Sequence, residues 1–298
     1  MAEFLNIQCA GYSSLQDLGR KIYMAYGISC NGALDTYSYL LGNELVGNDV
    51  PEPSIEITAF DFVMSSTADV TICITGAPAS ATIDGKEAAA GKPLRLPAGK
   101  LLAIRRIRDG LRTYIAVKGG IDVPLKLGSC SFDSVGRLGE RLHNGHQLAL
   151  KNPQAYAEQV CGSPWTIDVC DGCDADIFTN YLEQFYSTEY TVSVDSNNVG
   201  IRLDGPKILG HEPKEVVSRG VATGSIQIVP AGTPIILFKG RGGTAGYPII
   251  GVISTADLDL AAQLRPGDVV RFHHVTLEDA VRKYKAKYAA LKLARFIE

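Results

Sequence analysis

Apolar positions along the chain come in short runs with a period near two. VTICIT (70–75), PLRL (93–96), LLAIRRI (101–107), TYIAV (113–117), YTVSVD (190–195), SIQIV (225–229), PIILF (234–238) and VVRF (269–272) are four to seven residues long and rich in β-branched or aromatic side chains, which predicts strands. Turn chemistry separates them, as in IDGK and PAGK, where Gly, Pro and Asp favour tight reversals. Helical period is scarce. LDTYSYLLGNELVG (34–47) sets Leu34, Tyr37, Leu40, Leu41 and Leu45 on one stripe with Gly47 at the C-terminal cap. The tail LEDAVRKYKAKYAALKLARFI (277–297) does the same with Val281, Tyr284, Tyr288 and Leu291. The predicted class is mainly β with few helices.

Set against itself, the chain shows an internal repeat. VTICIT and the IDG at 83–85 align without a gap with YTVSVD and the LDG at 203–205, an offset of 120 residues. PAG at 97–99 recurs at 230–232, and Tyr114 matches Tyr247, both at an offset of 133. Each copy closes on a Leu-x-x-Gly turn, LHNGHQL (142–148) and LRPGDVV (264–270). Two copies of one β unit follow, and a closed or nearly closed barrel per copy removes the open edges that many short strands create. NPQAYAEQVCGSPW (152–165) breaks the strand pattern, so the domains predicted are 1–155, with an N-terminal loop and helix, and 156–298, with a C-terminal helix. The rise in offset puts about thirteen extra residues, around HEPKEVVSRGVATG, in the second copy. They are either a plain surface loop or a rim insertion that gives His211, Ser218 and Arg219 a functional role.

Composition narrows the function. At 298 residues, 46% hydrophobic and net charge −3, the chain is globular and lacks the basic footprint of a nucleic-acid or anionic-lipid binder. No apolar run reaches membrane-spanning length, and Glu3 stands where a secretory leader is basic, so a cytoplasmic protein is expected. Seven irregularly spaced cysteines do not make a disulfide scaffold. Cys170 and Cys173 form a CxxC with only Cys161 nearby, too few ligands for structural zinc. No nucleophile elbow, HExxH or Walker A sequence occurs.

Candidate chemistry lies in polar segments flanked by glycine. GYSSLQDLGR (11–20) offers Asp17 and Arg20 as substrate contacts. Asn31 precedes the first helix, and Asn43 and Asn48 stand near its end; the alternative to an anion site is that Asn31 caps the helix and Asn48 takes the left-handed conformation after it. Glu56 interrupts the apolar strand SIEIT (54–58). It faces solvent, the commoner case, or turns inward and becomes a base. KGRGGTAGYP (239–248) combines four glycines with Lys239 and Arg241, either a hairpin tip or a cradle for phosphate or carboxylate.

Taken in order, LQDLGR (15–20), NGALD (31–35), NELVGN (43–48), IEIT (55–58), YIAVKGGIDVPLKLGS (114–129), GIRLDG (200–205), SRGVATGSIQI (218–228), AGYP (245–248) and AQLRPGDVVRF (262–272) resemble the allophanate hydrolase subunit 2 family, over residues 5–280. This family holds a component of ATP-dependent 5-oxoprolinase, an antagonist of a sporulation-kinase inhibitor and part of the urea carboxylase carboxyltransferase domain. The resemblance implies two cyclophilin-like β-barrels, an obligate B-type (KipI-like) partner and, as a further subunit, a LamB/YcsF-like A protein. It implies Asp17, Arg20 and Glu56 as catalytic groups and Asn43, Asn48, Arg202, Ser218, Gln227 and Tyr247 as substrate contacts, all converging on one cleft. Lys239, Arg241, Gly242 and Gly243 become the nucleotide cradle, with ATP and Mg as co-substrate, no resident metal and no bound biotin.

Departures from the family pattern cluster in this proposed site. Gly240, Gly242 and Gly243 stand where the family has Asp, Gln and Thr, Ala245 replaces a Gly, Asn198 and Glu140 replace Arg, His146 replaces Asp and Ile22 replaces Gly. Two classes therefore stand: a subunit of an ATP-dependent lactam hydrolase, and a non-catalytic regulator of a kinase-inhibitor homologue. Carboxyl transfer to urea or another amide is third.

Overall fold

A computed structural model describes residues 2–152, 165–209, 216–289 and 291. The predicted boundary at 155/156 and His211 lie outside them. The described chain divides into two units: residues up to 20 with 31–152 and Leu291, and residues 21–30 with 165–209 and 216–289. The short segment 21–30 thus belongs with the second unit although it lies early in sequence.

In the first unit the strands form two sheets. One runs Ile121–Asp122, Gln147–Leu150, Phe4–Cys9, Phe62–Ser66, Leu101–Arg105, Ser80–Ile83 and Lys86–Glu87; the other runs Ser13–Gln16, Ser54–Thr58, Arg112–Val117, Val70–Gly76 and Pro93–Leu96. Alternating inward residues such as Leu5, Ile7, Ile55, Ile57, Ile72, Ile74 and Ile115 build one apolar core between them. Helix α1 (Thr36–Leu45) packs on the strands Val70–Gly76 and Arg112–Val117. Gly42 lets it approach closely, since a Cβ there would meet the Thr75 hydroxyl at 3.0 Å and Ala116 at 3.2 Å.

In the second unit Thr166–Asp171, Ile249–Ile253, Ser225–Ile228, Pro234–Leu237, Gly200–Asp204, Glu189–Val192 and Val269–His274 close into a barrel. Closure comes from parallel pairing of the first and last of these, Ile167 opposite Phe272. Phe185, from helix α2 (Leu182–Ser187), packs against Phe272 at 4.9 Å between ring centroids, and both are buried. Arg219–Gly220 and Thr244–Ala245 make a separate two-stranded ladder. Short helix α3 (Leu258–Ala261) and helix α4 (Leu277–Tyr288) complete the unit.

The repeat shows in the turns and not in the strand pairing. Gly145 and Gly267, in the two Leu-x-x-Gly turns, adopt φ of 83° and 94°, a region in which other residues are strained. Yet Val70–Gly76 lies between Arg112–Val117 and Pro93–Leu96, whereas Glu189–Val192 lies between Gly200–Asp204 and Val269–His274. Turn chemistry is local; partners are chosen by which edges the sheet must close.

Candidate functional site

The first unit holds five of the predicted residues. Asp17 follows the strand Ser13–Gln16, and its Oδ1 accepts from the Gly19 amide (2.8 Å) and the hydroxyls of Ser129 and Ser131 (both 2.6 Å), while Oδ2 accepts from the Cys130 amide (2.8 Å). Burial pushes this carboxyl up, but the serine hydroxyls and the two amides outweigh it and hold Asp17 below the usual carboxylate range. It is a fixed anion rather than a base. Arg20 is buried and donates to the carbonyls of Ser131 (2.6 Å), Ser129 (3.3 Å) and Lys126 (3.4 Å). Together the two side chains clasp the 126–131 loop. The alternating serines of SCS (129–131) were the signal for this cradle.

Glu56 turns inward. Of the two orientations the sequence left open, the inward one holds: only 3% of Glu56 is exposed, because its face of the strand is covered by the segment 33–35 at the start of α1. Its Oε2 accepts from the Tyr114 hydroxyl (2.5 Å) and the Leu34 amide (3.2 Å), and Arg112 Nε lies 3.7 Å from Oε1. Tyr114 Oη also accepts from the Asp35 amide at 3.0 Å. Burial first, and then the charges of Glu56 and Asp35, push this phenol well above its ordinary range. Tyr114 and Arg112 were not predicted as site residues, since both sit in an ordinary strand pattern.

Asn43 is buried and saturated. Its Nδ2, with two hydrogens, lies within donating distance of the carbonyls of Tyr39 (3.2 Å) and Glu52 (3.1 Å) and of the Ser54 hydroxyl (3.1 Å), and its Oδ1 accepts from the Glu52 amide (3.0 Å) and Asn48 (2.7 Å). Asn48 in turn donates to the Val117 carbonyl and accepts from the Gly119 amide. These two asparagines bolt the end of α1 to the sheet. The expected cap positions also move: Asp35 caps α1 by accepting from the Ser38 amide, Asn31 is left-handed at φ 51°, and Gly47, not Asn48, is left-handed after the helix. Asn48, Glu52, Lys118 and Lys151 line a cleft of about 300 Å³, with Lys151 paired to Glu52 at 2.7 Å.

The second unit gathers most of its predicted residues in one loop cluster. The Arg219–Gly220 and Thr244–Ala245 ladder places Ser218 beside Gly246, where an added Cβ would stand 3.1 Å from the Ser218 hydroxyl. Gln227 is buried and donates to the Tyr247 carbonyl at 2.8 Å, while Ser218 and Tyr247 remain exposed. Arg219 pairs with the nearly buried Asp174, which also accepts from the Ile249 amide at 2.7 Å. Buried Arg219 Nε has no partner among the described residues. Arg202 is exposed on its strand.

The glycine loop is a brace at Arg241. Its Nε and Nη2 donate to the Val221 carbonyl (3.1 and 2.8 Å) and Nη1 to the Thr223 hydroxyl (2.8 Å), and burial lowers its basicity. Three of the five N–H donors of Arg241 are thus spent on a neighbouring loop, a bracing role that its expected place in a nucleotide cradle did not include. Lys239 is half-buried and Gly242 exposed. The Gly243 carbonyl accepts from the Val221 amide, and Ser29 donates to the Gly240 and Arg241 carbonyls, tying segment 21–30 to the loop. Two of the departures touch: the Gly240 amide donates to the Asn198 carbonyl at 2.9 Å, and a Cβ at 240 would stand 2.8 Å from that oxygen. An acid at this place would require one of these two backbones to shift.

Known proteins share this architecture. Residues 26–274 match the family model of the carboxyltransferase domain, subdomain A and B. The chain is 34% identical to the C-type component of the 5-oxoprolinase of Escherichia coli over 93% of its length and 92% of that protein, and 31% identical to the same component from Haemophilus influenzae over 91% and 90%. Among solved structures it resembles the urea amidolyase of Kluyveromyces lactis (TM-score 0.90, 26% identity, 97% of this chain and 20% of that one). It also resembles TTHA0988 (TM-score 0.83, 29% identity, 91% of this chain and 55% of that one).

Proposed function

The chain belongs to the carboxyltransferase domain family, subdomain A and B, and from that premise we propose that it is the C-type component of an ATP-dependent 5-oxoprolinase. The observation that carries this reading is end-to-end likeness: the C-type component of the Escherichia coli 5-oxoprolinase is matched over 92% of its own length, whereas the urea amidolyase of Saccharomyces cerevisiae is matched over 17%. An amide carbonyl is a poor electrophile. Transfer of the γ-phosphoryl group of ATP to the lactam oxygen activates it and releases ADP; water then adds at the carbon, the ring C–N bond breaks with the nitrogen leaving as the amine, and a second water cleaves the resulting acyl phosphate to glutamate and phosphate. ATP with Mg and the B-type partner are parts of this proposal, as is a third, A-type subunit.

Within that scheme the exposed groups of the second-unit cluster are the ones able to meet substrate. Arg219, steadied on Asp174, would hold the carboxylate or phosphate, with Ser218 and Tyr247 beside it. Asp17, Arg20, Asn43 and Gln227 would act by fixing loops. Glu56 with Tyr114 forms a buried proton-bearing pair, in which Tyr114 carries the proton. Carboxyl transfer to urea or another amide is the second reading, supported by the likeness to the Kluyveromyces lactis enzyme over 97% of this chain.

Co-expression with candidate B- and A-type subunits tests the proposal. The expected result is a stable complex whose ATP hydrolysis depends on 5-oxoproline and yields glutamate in step. A complex that forms but turns over only with urea and bicarbonate would favour carboxyl transfer, and one inert to all three would favour the regulatory class.

A further inference from the structure

Helix α4 stands on the outer wall of the second unit's barrel, and two lysines fix its height. Lys283 Nζ bonds Asp168 (2.6 Å) and the fully buried Asp257 (2.7 Å), and Lys287 Nζ bonds Asp259 (2.7 Å) and the Ala256 carbonyl (2.6 Å). Both anchors lie in the later half of the helix. In its first two turns Ala280 is buried, whereas Leu277 and Val281 are 67% and 42% exposed. Between helix and wall runs a cleft of about 550 Å³, lined by Val252, Leu277, Val281, Tyr284, Cys170 and Asp171. That volume is of the size small ligands fill. It shares no residue with the loop cluster.

The charged residue in the cleft's lining is Asp171, with His274 beside it and Lys283 and His273 on neighbouring Asp168. Asp171 sits in its lining, and Glu278, in the first turn of α4, and Asp168 act on the same wall; burial, then Asp171, Asp168 and Glu278, raise the Cys170 thiol. The nearby cation Lys283 is spent on Asp168 and Asp257. Asp171 Oδ1 accepts from the Tyr186 hydroxyl (2.8 Å) and Oδ2 contacts His274 Nε2 (3.2 Å), and each oxygen keeps a further acceptor position. We propose that this cleft binds a small amphipathic amine, its apolar ring or chain lying between Val252 and Val281 and its ammonium donating to Asp171.

The test uses the full chain with 2-phenylethylamine as probe, and 3-phenylpropanoate and 2-phenylethanol as charge-reversed and neutral controls. Cys170 lies in the cleft and Cys173 is exposed outside it, so iodoacetamide labelling, read by peptide mass spectrometry as the ratio of the two, reports occupancy. At ten times its Kd the amine should slow Cys170 labelling about tenfold while Cys173 is unchanged. Asp171→Asn should weaken the amine about tenfold and leave 2-phenylethanol unaffected. Val281→Trp, at a partly exposed position, should fill the cleft and abolish protection with an unchanged thermal midpoint. Equal protection by all three probes, none by the amine at roughly 100 mM, about a hundredfold above a millimolar Kd, or full protection in Asp171→Asn would each overturn the assignment.

Discussion

Glu56→Gln isolates the buried carboxylate at nearly constant shape. Three donors face it in the wild type: the Tyr114 hydroxyl at 2.5 Å, the Leu34 amide at 3.2 Å and Arg112 Nε at 3.7 Å. A hydrogen bond to a charged group contributes about 1.5–3 kcal/mol and one to a neutral group about 0.5–1.5, so neutralising the acceptor weakens two bonds by roughly 1 kcal/mol each. Arg112, whose side chain is 8% exposed, also loses its counter-charge. Removing one partner of a buried pair costs about 3–5 kcal/mol, and the 3.7 Å separation argues for the lower end. Because these effects overlap, the expected loss is about 3–4 kcal/mol. Urea unfolding followed by far-UV circular dichroism measures it as a fall in midpoint at constant slope. Tyr114→Phe should cost about 1–3 kcal/mol by itself, and the double variant should lose less than the sum, since both act on the same bond. A Glu56→Gln protein within about 0.5 kcal/mol of wild type, with no coupling to Tyr114→Phe, would refute the placement of this carboxylate.

Other expectations follow from the same geometry. Arg241→Ala should lower stability by about 2–4 kcal/mol, because it orphans the Val221 carbonyl, and Arg241→Lys should not rescue it; calorimetry of the assembled complex should show ligand affinity little changed where the protein is folded. Gly240→Asp should cost about 1–3 kcal/mol in thermal unfolding, since the new Cβ would stand 2.8 Å from the Asn198 carbonyl oxygen. Asp17 has a folded-state pKa below its unfolded one, so its contribution is fully present above the ordinary carboxylate value of 3.8 and is lost as pH falls through the lower folded value. Acid unfolding of Asp17→Asn should accordingly show a shallower dependence than wild type below that point. Asn43→Ala should destabilise the first unit by about 2–4 kcal/mol, read by chemical denaturation, because it removes a buried amide that makes five hydrogen-bond contacts.

The strands, α1 and the start of α4 were legible in the sequence because each rests on local periodicity and turn chemistry. VTICIT became Val70–Gly76 and PLRL became Pro93–Leu96, and the segment 34–47 holds the helix Thr36–Leu45, which buries Tyr39, Leu40, Gly42 and Asn43 where the expected stripe ran through Tyr37, Leu41 and Leu45. Ordered motifs likewise identified the family, since a series of short segments in fixed order is a property of the chain alone. What the sequence could not decide was which polar residue spends its donors on its own fold. Arg241 and Asn43 look like ligand groups in a linear reading, and Glu56 reads as either a surface acid or an inward base. Only the approach of segments far apart in the chain shows Arg241 satisfied by Val221 and Thr223, Asn43 by Glu52 and Ser54, and Glu56 covered by Leu34. A burial cost or a hydrogen bond depends on distances that folding creates, and a period of two along a strand says which face a residue takes, not what will cover that face.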